Sequence, residues 1–244
     1  MFGVGLGRIE RAQIRRGFCF FSNKNCFLNL RAELMASSEL PVSPDVVVED
    51  VQTPWNGRFP LQVITFRQRR FDGTMSGTRR WEMWRRGRAA AVLPYDPQTD
   101  TVVLIEQFRL PAFAAGLDPV MVEVAAGLQD GDESPEQTIR RESVEEMGLE
   151  VGALERIGGF LLTPGGCDEF CTLFAGRVHL GATSDGELLG SGGLASEQED
   201  IRVRAVPAEE AIARAVAGEY PNSVATIALL WLGLKRDWLK ATWV

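Results

Sequence analysis

Imidazole is almost absent from this chain: among 244 residues there is one histidine, His179, in a strand-like stretch that gives it a structural role. A zinc site built on several histidines is excluded, and so is any mechanism needing two imidazoles. Cysteine is scarce too. Cys19, Cys26, Cys167 and Cys171 show no C-x-x-C spacing and read as reduced thiols of a cytoplasmic protein, not as a disulfide framework or zinc site. Long apolar runs are missing; the patch Phe18-Cys19-Phe20-Phe21 is far too short to span a bilayer, so no membrane partner is expected. Positive charge is outweighed, with 26 Lys and Arg against 33 Asp and Glu for a net −7, which argues against nucleic acid as a partner.

What the chain has in excess is carboxylate, and carboxylates favour hard, oxygen-liking cations such as Mg²⁺. Hydrophobic residues make up 45%, enough to bury a full core without staples. The charge is unevenly spread. Residues 1–34 hold six basic and two acidic side chains, leaving 20 basic and 31 acidic in the remainder. An Arg-rich, acid-poor start fits a transit peptide, whereas Met35-Ala36-Ser37-Ser38 fits a start codon placed too far upstream. Residues 1–44 therefore read as an extension and linker, 45–86 as a small β domain and 87–244 as the main domain.

Within the small unit, Val46–Val48 and Leu61–Phe66 are rich in β-branched and aromatic residues, and Asp72-Gly73 marks a hairpin turn. Further strands are expected at Ala89–Leu93, Thr101–Glu106, Met121–Ala125, Arg156–Leu162, Cys171–Val178 and Ile201–Val206. The stretch from Gly181 to Ser196 reads as a Gly/Ser-rich loop, and two helices follow at about Ala208–Ala217 and Ser223–Lys240. Strands broken by a few helices, without regular alternation, indicate an α+β fold or a mixed-sheet sandwich.

One helix is marked at both ends. Ser134 supplies a hydroxyl N-cap, Pro135 the first helical position and Gln137 the third, while Gly148 closes it. At ~100° per residue, Glu142, Glu145 and Glu146 share one face. Three like charges so close repel one another unless cations sit among them. Arg141 can neutralise and orient a carboxylate, and Glu133 can reach back from before the cap.

From Gly127 to Leu149 the string carries Gly127, Glu133, Arg141, Glu142, Glu145, Glu146 and Gly148 at fixed spacing. This resembles the Nudix box, G-x5-E-x7-R-E-U-x-E-E-x-G-U, where U is bulky and apolar; Ser143 is the one departure. The resemblance implies an α/β/α sandwich with a mixed sheet, and Mg²⁺ (or Mn²⁺) bound to a substrate diphosphate. It implies Glu142 and Glu146 as ligands, Glu145 as a ligand or water-holder, and the Ala126 carbonyl as a further ligand. Arg141, Glu133, Gly127 and Gly148 would support them.

Other stretches are similar to the bacterial ADP-ribose pyrophosphatase branch: Leu93–Pro97, Val103–Arg109, Thr163–Gly166, Glu197–Ile201 and Ile227–Trp231. Pro164, sixteen residues beyond Gly148, falls where that branch carries a marker proline. The likeness implies hydrolysis of ADP-ribose to AMP and ribose 5-phosphate, with Glu199 on metal and Glu197 as general base. Arg109, Arg80, Phe59 and Glu169 would contact substrate, and a homodimer with exchanged N-terminal strands is implied. The competing expectations are another nucleoside diphosphate-sugar substrate such as GDP-mannose, and a non-catalytic ADP-ribose-binding module.

Overall fold

The computed structural model describes residues 40–181, 188–194, 196 and 198–243. Cys19, Cys26, the basic N-terminal stretch and Glu197 lie outside the described residues.

The described residues form two sheets. The first is a three-stranded antiparallel sheet of β1 (Val46–Trp55), β2 (Leu61–Gln68) and β3 (Arg79–Trp84), in that order. Its second hairpin turns where Asp72-Gly73 predicts. Gly73 takes φ +88°, a conformation glycine adopts without steric cost, and Asp72 accepts from the Thr74 amide at 2.8 Å. Every residue of β1 is exposed.

The second sheet is mixed. It runs β10 (Leu188–Gly192), β11 (Ile201–Pro207), β5 (Thr101–Phe108), β4 (Arg88–Asp96), β9 (Phe170–Arg177) and β8 (Leu154–Leu161). β4 pairs parallel with β9, and the other neighbours are antiparallel. β4 is buried on both sides. Ala89, Ala91, Leu93 and Tyr95 point to one core, Ala90 and Val92 to the other, as the two-residue period of a strand requires. The first core is closed by α3 (Ala208–Val216) and α4 (Ser223–Thr242), the second by α2 (Pro135–Met147) through Ile139 and Met147. The result is an α/β/α sandwich, with the carboxylate helix alone on its face among the described residues.

Three local expectations change. The single strand expected at Met121–Ala125 is two: β6 (Val120–Glu123) pairs with β5, and β7 (Ala125–Leu128) crosses over to β4. The loop expected from Gly181 to Ser196 contains β10, which pairs with β11 although its sequence, Leu-Leu-Gly-Ser-Gly, has little intrinsic strand preference. A short helix, α1 (Leu110–Ala114), follows β5. His179 lies just past β9, exposed, and not in a strand.

Candidate active site

Helix α2 is built as its sequence dictates. The Ser134 hydroxyl accepts from the Gln137 amide while the Gln137 side chain accepts from the Ser134 amide, a complete capping box. Gly148 ends it in the left-handed region at φ +67°. With both ends fixed, the helix presents Arg141, Glu142, Glu145 and Glu146 to β7 and to the segment after β10.

Arg141 sits at the centre. Its Nε donates to Glu133 Oε1 at 3.0 Å and its Nη2 to Glu133 Oε2 at 3.1 Å, a forked pair. Nη1 donates to Glu142 at 2.8 Å and to Glu145 at 2.9 Å, and Nη2 also reaches the Leu128 carbonyl. One guanidinium thus holds three of the carboxylates. It pulls the Glu133 carboxyl down to about 2, with the Asp130 amide and Thr138 hydroxyl helping against burial.

Glu146 lies outside that grip and is only 4% exposed. Burial pushes its carboxyl up to about 8 and the charges of Glu142 and Glu199 push the same way, against the Ala126 amide, which donates at 3.0 Å, and Arg109. Glu142 is also raised, by burial first and then by Glu145 and Glu199, with Arg141 opposing. Glu199 accepts from the Leu194 amide at 3.2 Å, and the Gly193 amide donates to the Glu145 carbonyl at 2.9 Å, so the segment bearing Glu199 is tied to α2. Gly192 faces the Glu146 carbonyl so closely that a Cβ there would stand 1.8 Å from it.

Among the described residues the acidic and sulfur side chains do not form a converged group of three at coordinating distance. The donor chemistry nonetheless suits a hard divalent cation. Glu142, Glu145, Glu146 and Glu199 are oxygen donors whose charges oppose one another, and a cation among them relieves that repulsion. Gly127 completes the cradle, because a side chain there would occupy the space the Glu142 carboxylate fills.

The expected substrate contacts are placed less uniformly. Arg109 is committed to Glu123: Nε donates at 3.2 and 3.1 Å and Nη2 at 2.7 Å. Burial lowers its pKa, but Glu123, Glu146 and Glu199 together raise it, so Arg109 lies within electrostatic reach of the cluster. Glu123 was not anticipated; a carboxylate inside the apolar run Val-Met-Val-Glu-Val was the available signal. Phe59 and Glu169 are joined by another residue the sequence did not single out, Arg86. Its guanidinium stacks 4.4 Å from the centre of the Phe59 ring and pairs with Glu169. Phe59 meets Trp84 edge-on at 6.0 Å. Arg80 is exposed and lines a separate cavity with Trp81, Gly165 and Gly166. Asp168 fastens the loop bearing those glycines, accepting from the Arg86 amide at 2.6 Å and pairing with Arg85 at 2.8 Å.

The model of the NUDIX domain matches residues 85–226. The chain belongs to the NUDIX family. An ADP-ribose pyrophosphatase of Escherichia coli (strain K12) is 39% identical over 213 residues, 86% of this Nudix chain and 100% of that protein. A GDP-mannose pyrophosphatase of Klebsiella pneumoniae is 36% identical over 175 residues, 71% of this chain and 84% of that one. A crystal structure described as an ADP compounds hydrolase shares the fold, with a TM-score of 0.58 at 17% identity, covering 83% of this chain and 98% of that chain.

Proposed function

We propose that this Nudix chain hydrolyses ADP-ribose at its diphosphate, giving AMP and ribose 5-phosphate. The observation that carries the reading is the glutamate set of α2, with Glu142 and Glu145 held by Arg141, Glu146 buried beside them and Glu142 fitted against Gly127, in a chain similar over most of its length to ADP-ribose pyrophosphatases. Water adds to one phosphorus and the bridging P–O bond breaks, each product leaving with one phosphate.

Glu142, Glu145, Glu146, Glu199 and the Ala126 carbonyl would hold Mg²⁺, or Mn²⁺, which when bound neutralises diphosphate charge and makes water more acidic. The chain's own residues do the rest. Arg141 fixes Glu142 and Glu145 in place, and Glu133 fixes Arg141. Glu197 is the general base in this reading, and Glu199 stands two residues from it on the segment tied to α2. Arg109, braced by Glu123, lies at the edge of the cluster, where a guanidinium suits a phosphate oxygen. Phe59, Arg80 and Glu169 complete the substrate contacts at the three-stranded sheet, Glu169 and Phe59 being positioned by Arg86.

The same reading divides the chain into an extension (1–44), a small β domain (45–86) and a Nudix domain (87–244), and makes it a homodimer. Support comes from β1, a ten-residue edge strand whose Val46, Val47, Val48 and Val51 are exposed. Such an edge invites pairing with a second chain. The free thiols of Cys167 and Cys171 suit a reducing cytoplasm. No described helix is long and apolar enough to cross a membrane.

Product analysis with ADP-ribose and Mg²⁺, beside a Glu146→Gln control, tests the reading. AMP and ribose 5-phosphate from the parent and a large loss in the control uphold it. Preference for GDP-mannose moves the substrate to that sugar nucleotide, and binding without turnover makes the chain an ADP-ribose-binding module.

A further inference from the structure

The chain leaving β10 passes between the end of α2 and Glu199, and two glycines make it thin enough to do so. Among the described strands β10 is outermost on its side of the mixed sheet, and its last residue, Gly192, pairs with Ile201 of β11. There Gly192 meets the Glu146 carbonyl, from which a Cβ would stand only 1.8 Å away. Gly193 then donates its amide to the Glu145 carbonyl at 2.9 Å. That carbonyl belongs to the last turn of α2, where carbonyls lack a partner within the helix. The end of β10 therefore helps to cap the helix that bears the glutamates.

Where a side chain would grow from Gly193, Glu199 stands instead. Gly193 takes φ +94°, and a Cβ on it would lie 2.7 Å from Glu199 Cβ and 3.3 Å from Glu199 Oε2. Two carbons at 2.7 Å are well inside van der Waals contact, so one of them would have to move. Glu199 is held in place by two bonds to one residue. Its carboxylate accepts from the Leu194 amide at 3.2 Å, and its own amide donates to the Leu194 carbonyl at 3.3 Å. Gln198, just before it, is left-handed at φ +56°, uncommon for a residue with a side chain. Seated in this way, Glu199 is near enough for its charge to act on Glu142, Glu146 and Arg109.

We infer that Gly193 is a positioning residue for the hydrolysis: its missing side chain leaves room for Glu199 to stand by the α2 glutamates, at a place set by the end of that helix. The contacts form one continuous path. The α2 backbone fixes Gly193 through the Glu145 carbonyl, Gly193 leads into Leu194, and Leu194 holds both the amide and the carboxylate of Glu199. The two glycines have separate parts. Gly192 sets how closely β10 approaches the helix, and Gly193 decides where Glu199 stands. This inference rests on the proposed function, in which Glu199 helps to hold the divalent cation, and deepens it to a residue that touches neither cation nor substrate.

The test uses the full chain and the variants Gly193→Ala, Glu199→Gln and the two combined. Gly193→Asn is added because asparagine carries the same Cβ but tolerates positive φ, which separates the clash from backbone strain. Mn²⁺ binding without substrate is read from the electron paramagnetic resonance signal of the free ion, and folding from far-ultraviolet spectra without metal. Turnover of ADP-ribose with Mg²⁺ is measured on the same preparations. Both Gly193 variants should stay folded and bind Mn²⁺ roughly tenfold more weakly, the cost of disturbing a ligand's support. Glu199→Gln should weaken binding at least as much. The combined variant should bind no more weakly than Glu199→Gln alone, because Gly193 acts only through that carboxylate. Losses that multiply in the combined variant overturn the inference, and so does parental Mn²⁺ affinity in both Gly193 variants. Loss of the folded spectrum in both makes Gly193 structural and overturns it as well. Parental affinity in Glu199→Gln also overturns it, since Glu199 is then no ligand to be positioned. Should the binding pattern hold while the parent leaves ADP-ribose intact, the function reading fails and this one stands.

Discussion

The Glu142 carboxylate occupies the space that a side chain on Gly127 would need: a Cβ on Gly127 would stand 1.6 Å from Glu142 Oε1. Gly127 lies in β7 and Glu142 in α2, so the glycine lets strand and helix share one small volume. Gly127→Ala forces the carboxylate aside, and misplacing a reacting group by about 1 Å costs on the order of a hundredfold in rate. We expect kcat on ADP-ribose to fall by about two orders of magnitude, with the far-ultraviolet spectrum retained. A kcat within threefold of the parent would show that Glu142 does not act from this position.

Arg141 and Glu133 give a pH-dependent test. The folded-state carboxyl of Glu133 is depressed to about 2 from 4.5. A depressed acid stabilises the fold fully above its unfolded value and loses that contribution as pH falls towards its folded value. Glu133 is partly exposed, so its contribution is about 1 kcal/mol or less. Urea titrations of parent and Glu133→Gln should differ by that amount at pH 7, and the gap should narrow below pH 4.5. A gap that widens on acidification would contradict the assignment.

Much of the site was legible because its signals are local. Ser134, Pro135, Gln137 and Gly148 specify α2 from neighbouring residues alone, and the helical period then aligns its glutamates. Arg141 was legible as a partner for one carboxylate; that it holds three depends on where Glu133 returns, which local spacing does not determine. β10 was hidden because tertiary pairing overrides its glycines. Those glycines answer a different need, since Gly192 must pass against the backbone of Glu146. The break between β6 and β7 was hidden because both halves are apolar, and only the change of partner from β5 to β4 separates them. Arg109 and Glu169 were expected from the likeness of their local stretches to the pyrophosphatase branch, while their partners Glu123 and Arg86 come from other parts of the fold.

A second ion cluster, away from the site, fastens the last helix. Asp100 takes the left-handed conformation at φ +58° and accepts from the Tyr95 hydroxyl at 2.7 Å. Arg236 and Lys240 of α4 both pair with it. Burial works against the ionised form, but Arg236, Lys240 and Tyr95 outweigh it and hold the carboxyl well below its usual range. Asp100→Asn keeps a residue that tolerates this backbone while removing the charge. We expect a loss of about 1–3 kcal/mol at pH 7. By the same sign argument as for Glu133, the difference should shrink below about pH 4, where the unfolded carboxyl protonates. Equal stability of parent and variant at pH 7 would show that the cluster contributes nothing net.

Ser143 departs from the apolar residue its position in the box resembles, and the structure shows what the departure costs. It is fully buried on α2, and its Oγ has no hydrogen-bond partner. A buried hydroxyl without a partner lowers stability by about 1–3 kcal/mol relative to a site that never buries it. Serine is also about 0.5 kcal/mol worse than alanine inside a helix. Ser143→Ala removes the orphaned group and leaves only a small void, so the variant should be more stable than the parent by about 1 kcal/mol. Ser143 points into the core and away from the glutamate face, so kcat should stay unchanged. Thermal midpoint and kcat measured on the same preparation check both halves. A lower midpoint would mean that the hydroxyl has a partner in solution, and a changed kcat would mean that packing behind α2 reaches the glutamates.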